Sequence, residues 1–278
     1  MTRLRGLMAG SWLRSLLVLA IGWFYLWTAV PEWRAGMIGP SGGGYYNLLM
    51  KGFMKGSMAM DLPADPALAR MKNPSDPEER GDHGLHDASY YRGRYFLYFG
   101  AAPVVLLFLP FHLLTGSFID ESLVPPVFAF LGLLASVWLL AAIRRRHFPG
   151  ASAGAAAGCV VALGLANLVP VLLRRSNVWE VPITCAYACF MLGLCALFQA
   201  LHGRRPAAWL ALASASFGLA VASRPTYLFG CGAVLVPILA HAWSRRAGSS
   251  LLGDAALRRL ALAAFLPLAA IGAVLALY

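Results

Sequence analysis

Asp82, His83, His86 and Asp87 place two carboxylates and two imidazoles within six positions. These groups suit a divalent cation, with Mg or Mn as candidates, through Asp82, His83 and His86, and they equally suit general base catalysis. Their spacing matches no fixed ligand pattern, so a solvated loop is the alternative, and the sequence requires no cofactor. Asp87 stands apart from its neighbours. It lies just before the aromatic stretch of Tyr90, Tyr91, Tyr95, Phe96, Tyr98 and Phe99, which leads into an apolar run. Partial desolvation there suits a carboxylate to the role of a base.

A second group is cationic. Arg174 and Arg175 end one apolar run, Glu180 opens the next, and Arg224 ends another in ASRPTYLFG. Arginines at such places either snorkel to lipid headgroups or converge on a lipid phosphate, which guanidinium grips in bidentate fashion. The run Gly42, Gly43, Gly44 before a helical pattern is either a backbone anion nest or a flexible joint. Tyr90, Tyr91 and Tyr95 could stack on a sugar ring or acceptor, or form an aromatic belt at headgroup level.

The elements that must hold these groups are membrane spans. Of 278 residues, 59% are hydrophobic and only 13% charged, which excludes an ordinary soluble domain. The net charge of +11 sits in short arginine clusters between apolar runs, with no basic stripe on a soluble module, so no nucleic acid partner is expected. No Walker A motif and no strand-flanked GxGxxG is present, so no nucleotide is expected either. All five cysteines fall inside apolar runs and read as packing residues.

Spans are expected from the N-terminus to residue 30, then near 123–143, 151–173, 178–199, 207–222, 226–243 and 260–278, each long enough to cross roughly 30 Å of hydrocarbon. The first is bulky to its end, unlike a cleaved signal peptide, and reads as an anchor. Residues 31–122 form a long external segment. Within it, Tyr45, Leu48, Leu49 and Phe53 predict an interfacial helix, and Pro63, Pro66, Pro74 and Pro77 predict turns. The apolar run 96–114 decides the topology. If it does not cross, Arg144 to Arg146, Arg204, Arg205, Arg245, Arg246, Arg258 and Arg259 share the cytoplasmic side with the N-terminus, as the positive-inside rule asks. Pro103 and Pro110 also disfavour a straight span, so a re-entrant or interfacial helix pair is expected there. The fold class is therefore an all-α polytopic membrane protein: an anchor at 1–30, an external loop at 31–122 and a six-helix bundle at 123–278.

From Asp87 to Gly100 the sequence reads DASYYRGRYFLYFG, between a long external loop and a proline-containing apolar segment, followed by a span closing in Arg144 to Arg146. This arrangement resembles the GT-C superfamily of membrane glycosyltransferases, in its protein mannosyltransferase and aminoarabinose transferase branch and the uncharacterised bacterial relatives of that branch. The resemblance covers most of the chain. It implies a bacterial inner-membrane enzyme that moves a sugar from a polyprenyl-phosphate donor to a lipid, glycan or protein acceptor on the external face. It also implies a catalytic acid near the start of a later span, matched by Glu180, and phosphate contacts matched by Arg174, Arg175 and Arg224. Asp87 or Glu180 would then be the base. The acid that usually opens the first external loop is replaced by Gly42 to Gly44. Superfamily members have more spans, so a chain stopping at Tyr278 in an apolar run is expected to be incomplete. The alternative from another class is a non-catalytic lipid-phosphate carrier or scaffold, which the missing acid favours.

Overall fold

The computed structural model describes residues 2–29, 38–39, 42–244 and 254–277. Arg245 and Arg246 lie outside the described residues. Helix α1 (Thr2–Ala29) leads to strand β1 (Ile38–Gly39) and helix α2 (Tyr45–Met54). A 3-10 turn (Pro66–Arg70), short helix α3 (Pro77–Arg80) and the hairpin β2 (Ala88–Tyr91) and β3 (Arg94–Leu97) follow. A π-helical turn (Val104–Phe108) then runs into α4 (Leu109–Thr115), and β4 (Phe118–Ile119) pairs with β1. The remaining elements are α5 (Val124–His147), α6 (Ala153–Leu165), α7 (Val169–Leu173), α8 (Glu180–His202), α9 (Pro206–Ser223), a 3-10 segment (Pro225–Val234), α10 (Leu235–Ser244) and α11 (Ala255–Leu277).

Among the described residues, seven helical segments are long and apolar enough to cross a membrane: Trp12–Ala29, Glu121–His147, Ala153–Leu173, Glu180–His202, Pro206–Ser223, Pro225–Ser244 and Ala255–Ala276. They match the expected spans closely. Their packing uses small residues, as expected where lipid supplies no hydrophobic drive between helices. Gly132 of α5 faces the Tyr187 ring of α8, where a Cβ would come within 2.2 Å, and Gly193 of α8 likewise faces Phe217 of α9. Polar side chains add ties: Tyr25 Oη donates to the Gly164 carbonyl (2.6 Å), Cys195 Sγ to that of Ala135 (2.9 Å), and Ser214 Oγ to that of Ala264. The third span is broken where Pro170 denies a backbone N–H. Asn167 splices the break, with Nδ2 donating to Leu163 O (2.7 Å) and Oδ1 accepting from Val169 N (2.9 Å).

The segment from 42 to 123 forms a cap over one end of this bundle. Helix α2 is present as expected, but its most buried side chains are Tyr46, Leu49 and Met50, while Tyr45, Leu48 and Phe53 are half-buried. The reason is tertiary: the Tyr46 ring stacks on Phe108 at 5.4 Å, and the hairpin residues Tyr95 and Leu97 join the same core. The run 96–114 does not form a helix pair. Its start completes the hairpin, and its remainder is a single helix through Thr115, closed by Gly116 in the left-handed region (φ 69°) with its N–H on His112 O. The π-helical turn just before Pro110 absorbs the proline without a break. At twelve residues, about 18 Å, this helix is too short to span.

The hairpin itself was not expected from sequence. Arg92 (φ 49°) and Gly93 (φ 79°) make a two-residue turn with both φ positive, whose twist suits a tight hairpin. One face of the hairpin, Ala88, Tyr90, Tyr95 and Leu97, joins the cap core, and Met60 N donates to Tyr95 O (2.8 Å).

Candidate functional site

The site is built where the cap meets the starts and ends of α8 and α9. Asp87 sits at the base of the hairpin in the left-handed region (φ 55°), a conformation aspartate tolerates better than most residues. Its Oδ2 accepts a hydrogen bond from Trp179 Nε1 at 2.5 Å and lies 3.4 Å from His86 Nε2. The His86 ring stands edge-on to the Trp179 indole at 6.2 Å, and Tyr45 Oη donates to the His86 carbonyl at 2.9 Å. Trp179 is the N-cap residue of α8, so the hydrogen bond to Asp87 fastens the hairpin to the start of that span.

Glu180 is the first residue of α8 and is only 5% exposed. Arg175 and Arg224 both lie within electrostatic reach of it. The Arg175 guanidinium rests over the Trp179 ring at 5.0 Å, and that of Arg224 over Phe99 at 5.3 Å. Arg224 is held there because α9 ends at it in extended conformation before Pro225. Among the described residues, Glu180 Oε2 and Arg224 Nε are buried without a hydrogen-bond partner, as are Asn47 Oδ1 and Arg80 Nε in the cap. A buried polar atom without a partner is costly and calls for a specific explanation, such as a catalytic role or a bound water or ion.

The structure thus gathers Asp87, Glu180 and Arg175 around Trp179, with Arg224 within electrostatic reach of Glu180. Arg174 is exposed on the same turn, and among the described residues no hydrogen bond or ion pair ties it to the group. The tyrosines divide. Tyr95 is 4% exposed and serves the cap core, Tyr90 packs edge-on against it at 6.2 Å, and Tyr91 is exposed, with the Arg92 guanidinium 5.0 Å from its ring. Of the three, Tyr91 is the most exposed, at 57%. The residues proposed for a metal are not brought together: His83 Nδ1 is 2.8 Å from Asp65 Oδ2, His86 stands beside Asp87, and Asp82 is exposed. Among the described residues, no three His, Cys, Asp or Glu side chains form a group that could hold a metal ion.

Glu121 is the functional candidate the sequence reading missed. Its Oε1 accepts the Tyr46 backbone N–H at 2.5 Å at the start of α2, where an orphan N–H and the helix dipole both favour a carboxylate. Gly44 makes room for it, since a Cβ there would lie 2.6 Å from Glu121 Cδ. Next to it, the Ser122 carbonyl accepts from Ser176 Oγ at 2.6 Å, tying this carboxylate's segment to the Arg175 turn. Tyr45 feels both acids. Its phenol is raised above the ordinary value by burial first, then by the charges of Asp87 and Glu121. The signal available in sequence was an acid at the opening of a span, the same signal that singled out Glu180.

Fold and site together define an all-α polytopic integral membrane protein whose polar cap roofs a cluster of carboxylates and guanidiniums at the ends of two spans. No protein-family model, no curated protein and no solved structure matches the chain.

Proposed function

We propose that this protein is a membrane glycosyltransferase of the GT-C type, resident in a bacterial inner membrane with its N-terminus in the cytoplasm and its cap outside. It moves a sugar from a polyprenyl-phosphate donor to a hydroxyl of a lipid, glycan or protein acceptor. The observation that carries this reading is the convergence of Glu180 and Asp87 with Arg175 and Arg224, from three separate parts of the chain, on one membrane-end site.

The arrangement supplies what an inverting displacement needs. The acceptor oxygen attacks the anomeric carbon while the bond from that carbon to the phosphate oxygen breaks. The electron pair leaves with the polyprenyl phosphate, where Arg175 and Arg224 offset the growing charge. The acceptor proton passes to a carboxylate, Asp87 or Glu180. Glu121, at the start of α2, stands beside the glycine run that replaces the expected early acid, and it adds a third candidate for that proton. The non-catalytic carrier reading drew its support from the missing acid, and Glu121 weakens that support.

The test is transfer of labelled lipid-linked sugar by purified protein. Asp87→Asn, Glu180→Gln and Glu121→Gln are compared with wild type, with donor binding measured in parallel. The amide of the true base keeps donor binding and loses turnover by about 10² to 10⁴. If all three amides retain full transfer, the catalytic assignment fails. A wild-type chain that binds polyprenyl phosphate yet transfers no sugar from any donor establishes the carrier instead.

A further inference from the structure

At the other end of the bundle lies a second feature, independent of the carboxylate site. Helix α5 closes in Arg144, Arg145, Arg146 and His147, and α8 closes in His202 just before Arg204 and Arg205. The two helix ends are neighbours in space. The rings of His147 and His202 are 6.0 Å apart, Phe198 lies edge-on to both, and Arg146 is within electrostatic reach of His202. Among the described residues, none of these five arginines forms an ion pair. Among the described residues, the carboxylate near this end is Asp254, engaged by His241 Nε2 at 3.0 Å and by the first N–H groups of α11.

Leading up to this basic end is an apolar groove of about 430 Å³ between α5, α8 and α9. Phe128, Leu131, Leu134 and Trp138 of α5 line one wall, with Leu192 of α8 and Leu219 of α9 opposite. Phe128 to Trp138 covers about 15 Å along the helix axis, and Trp138 lies about 9 Å short of Arg144. Trp138 pairs with Trp209 at 6.1 Å, and tryptophan is enriched at the headgroup level of a bilayer. The groove therefore has the length of a large part of an acyl chain, and cations are stationed where the headgroup of that chain would lie.

We propose that the groove and the basic cluster together bind an anionic phospholipid. The guanidiniums at the ends of α5 and α8 hold the phosphate, and one acyl chain lies between α5 and the α8–α9 pair. Charge complementarity selects the occupant: a cluster of five arginines with no paired carboxylate favours a net-negative headgroup over a zwitterionic one. The adjoining groove separates this from a site for a soluble anion, which would gain nothing from it.

The full-length chain is purified in neutral detergent and titrated with phosphatidylglycerol, with phosphatidylcholine of the same chains, and with inorganic phosphate. Retained lipid is read by native mass spectrometry and stability by thermal unfolding. Phosphatidylglycerol is expected to be retained and to raise the unfolding midpoint, and the other two to do neither. The triple variant Arg145→Ala, Arg146→Ala, Arg205→Ala is expected to bind phosphatidylglycerol about tenfold or more weakly. Leu134→Trp, which fills the groove, should weaken it while leaving the arginines in place. Equal retention of the two lipids by wild type overturns the proposal whether or not the variants fold. The same midpoint rise from phosphate alone reduces the site to a soluble-anion site, and an unchanged lipid preference in the folded triple variant removes the arginines from it.

Discussion

The indole N–H of Trp179 donates to the carboxylate of Asp87 at 2.5 Å, across 92 positions of chain. One partner opens a span, and the other sits at the base of a hairpin in left-handed backbone. The bond therefore sets where the cap rests on the bundle. It also brings Asp87 close to Arg175, which stacks on the same indole.

Trp179→Phe keeps a ring beneath Arg175 and removes only the donor. A hydrogen bond to a carboxylate in this setting contributes about 1 to 3 kcal/mol, so the variant should unfold earlier in a thermal scan in detergent. Asp87→Asn should cost little more when placed on top of Trp179→Phe. Strict additivity of the two would show that the bond does not couple them.

Gly100 follows the hairpin at the point where the cap backbone meets the end of α9. A Cβ there would lie 1.9 Å from the Ala222 carbonyl oxygen, so Gly100→Ala must push backbone from backbone. We expect a loss of about 1 to 3 kcal/mol, with reduced yield of folded protein. Gly43→Ala is the control. Nothing lies within 4 Å of its Cβ, and its midpoint should stay within about 0.5 kcal/mol of wild type.

The topology can be read chemically at Ser117, just past the short helix Val104–Thr115. In a background without the five native cysteines, Ser117→Cys should react with an impermeant maleimide added to intact cells. Labelling only after permeabilisation would place the cap in the cytoplasm and reverse the proposed orientation.

Asp65 caps a 3-10 turn in the cap through the Ala67 N–H (2.8 Å) and faces His83. The Ala67 bond first, and His83 second, hold its carboxyl below the ordinary value. A depressed carboxyl contributes stability that is present above its unfolded value, about 3.9, and is lost as pH falls through the folded value. The midpoint gap between wild type and Asp65→Ala should thus be open at pH 6 and close as the pH is lowered toward 3. A gap that widens on acidification would contradict this.

Much of the architecture was legible because lipid makes a local demand: some twenty apolar residues in a row, with arginines at their ends. That demand located all seven segments and excluded the run before Gly116 from their number, the distribution of arginines being the first cue and its prolines the second. Asp87, Glu180 and Arg224 stood out for a related reason, since an ionisable side chain at a membrane boundary is expensive and is conspicuous among apolar neighbours. The hairpin was hidden, because its strands are only four residues long and owe their burial to Met60 and α2, which lie far off in sequence. The deepest contacts of α2 were hidden for the same reason: Leu49 was on the expected face, but Tyr46 is buried because its ring stacks on Phe108 and shares a core with Tyr95, while Tyr45, Leu48 and Phe53 pack at the margin of that core. Glu121 escaped notice because its meaning depends on an N–H at Tyr46, 75 positions earlier, and on the space left by Gly44. Which residues lie in lipid follows from composition along the chain, whereas which carboxylate meets which cation depends on hydrogen bonds and ring contacts that exist only once distant segments have packed.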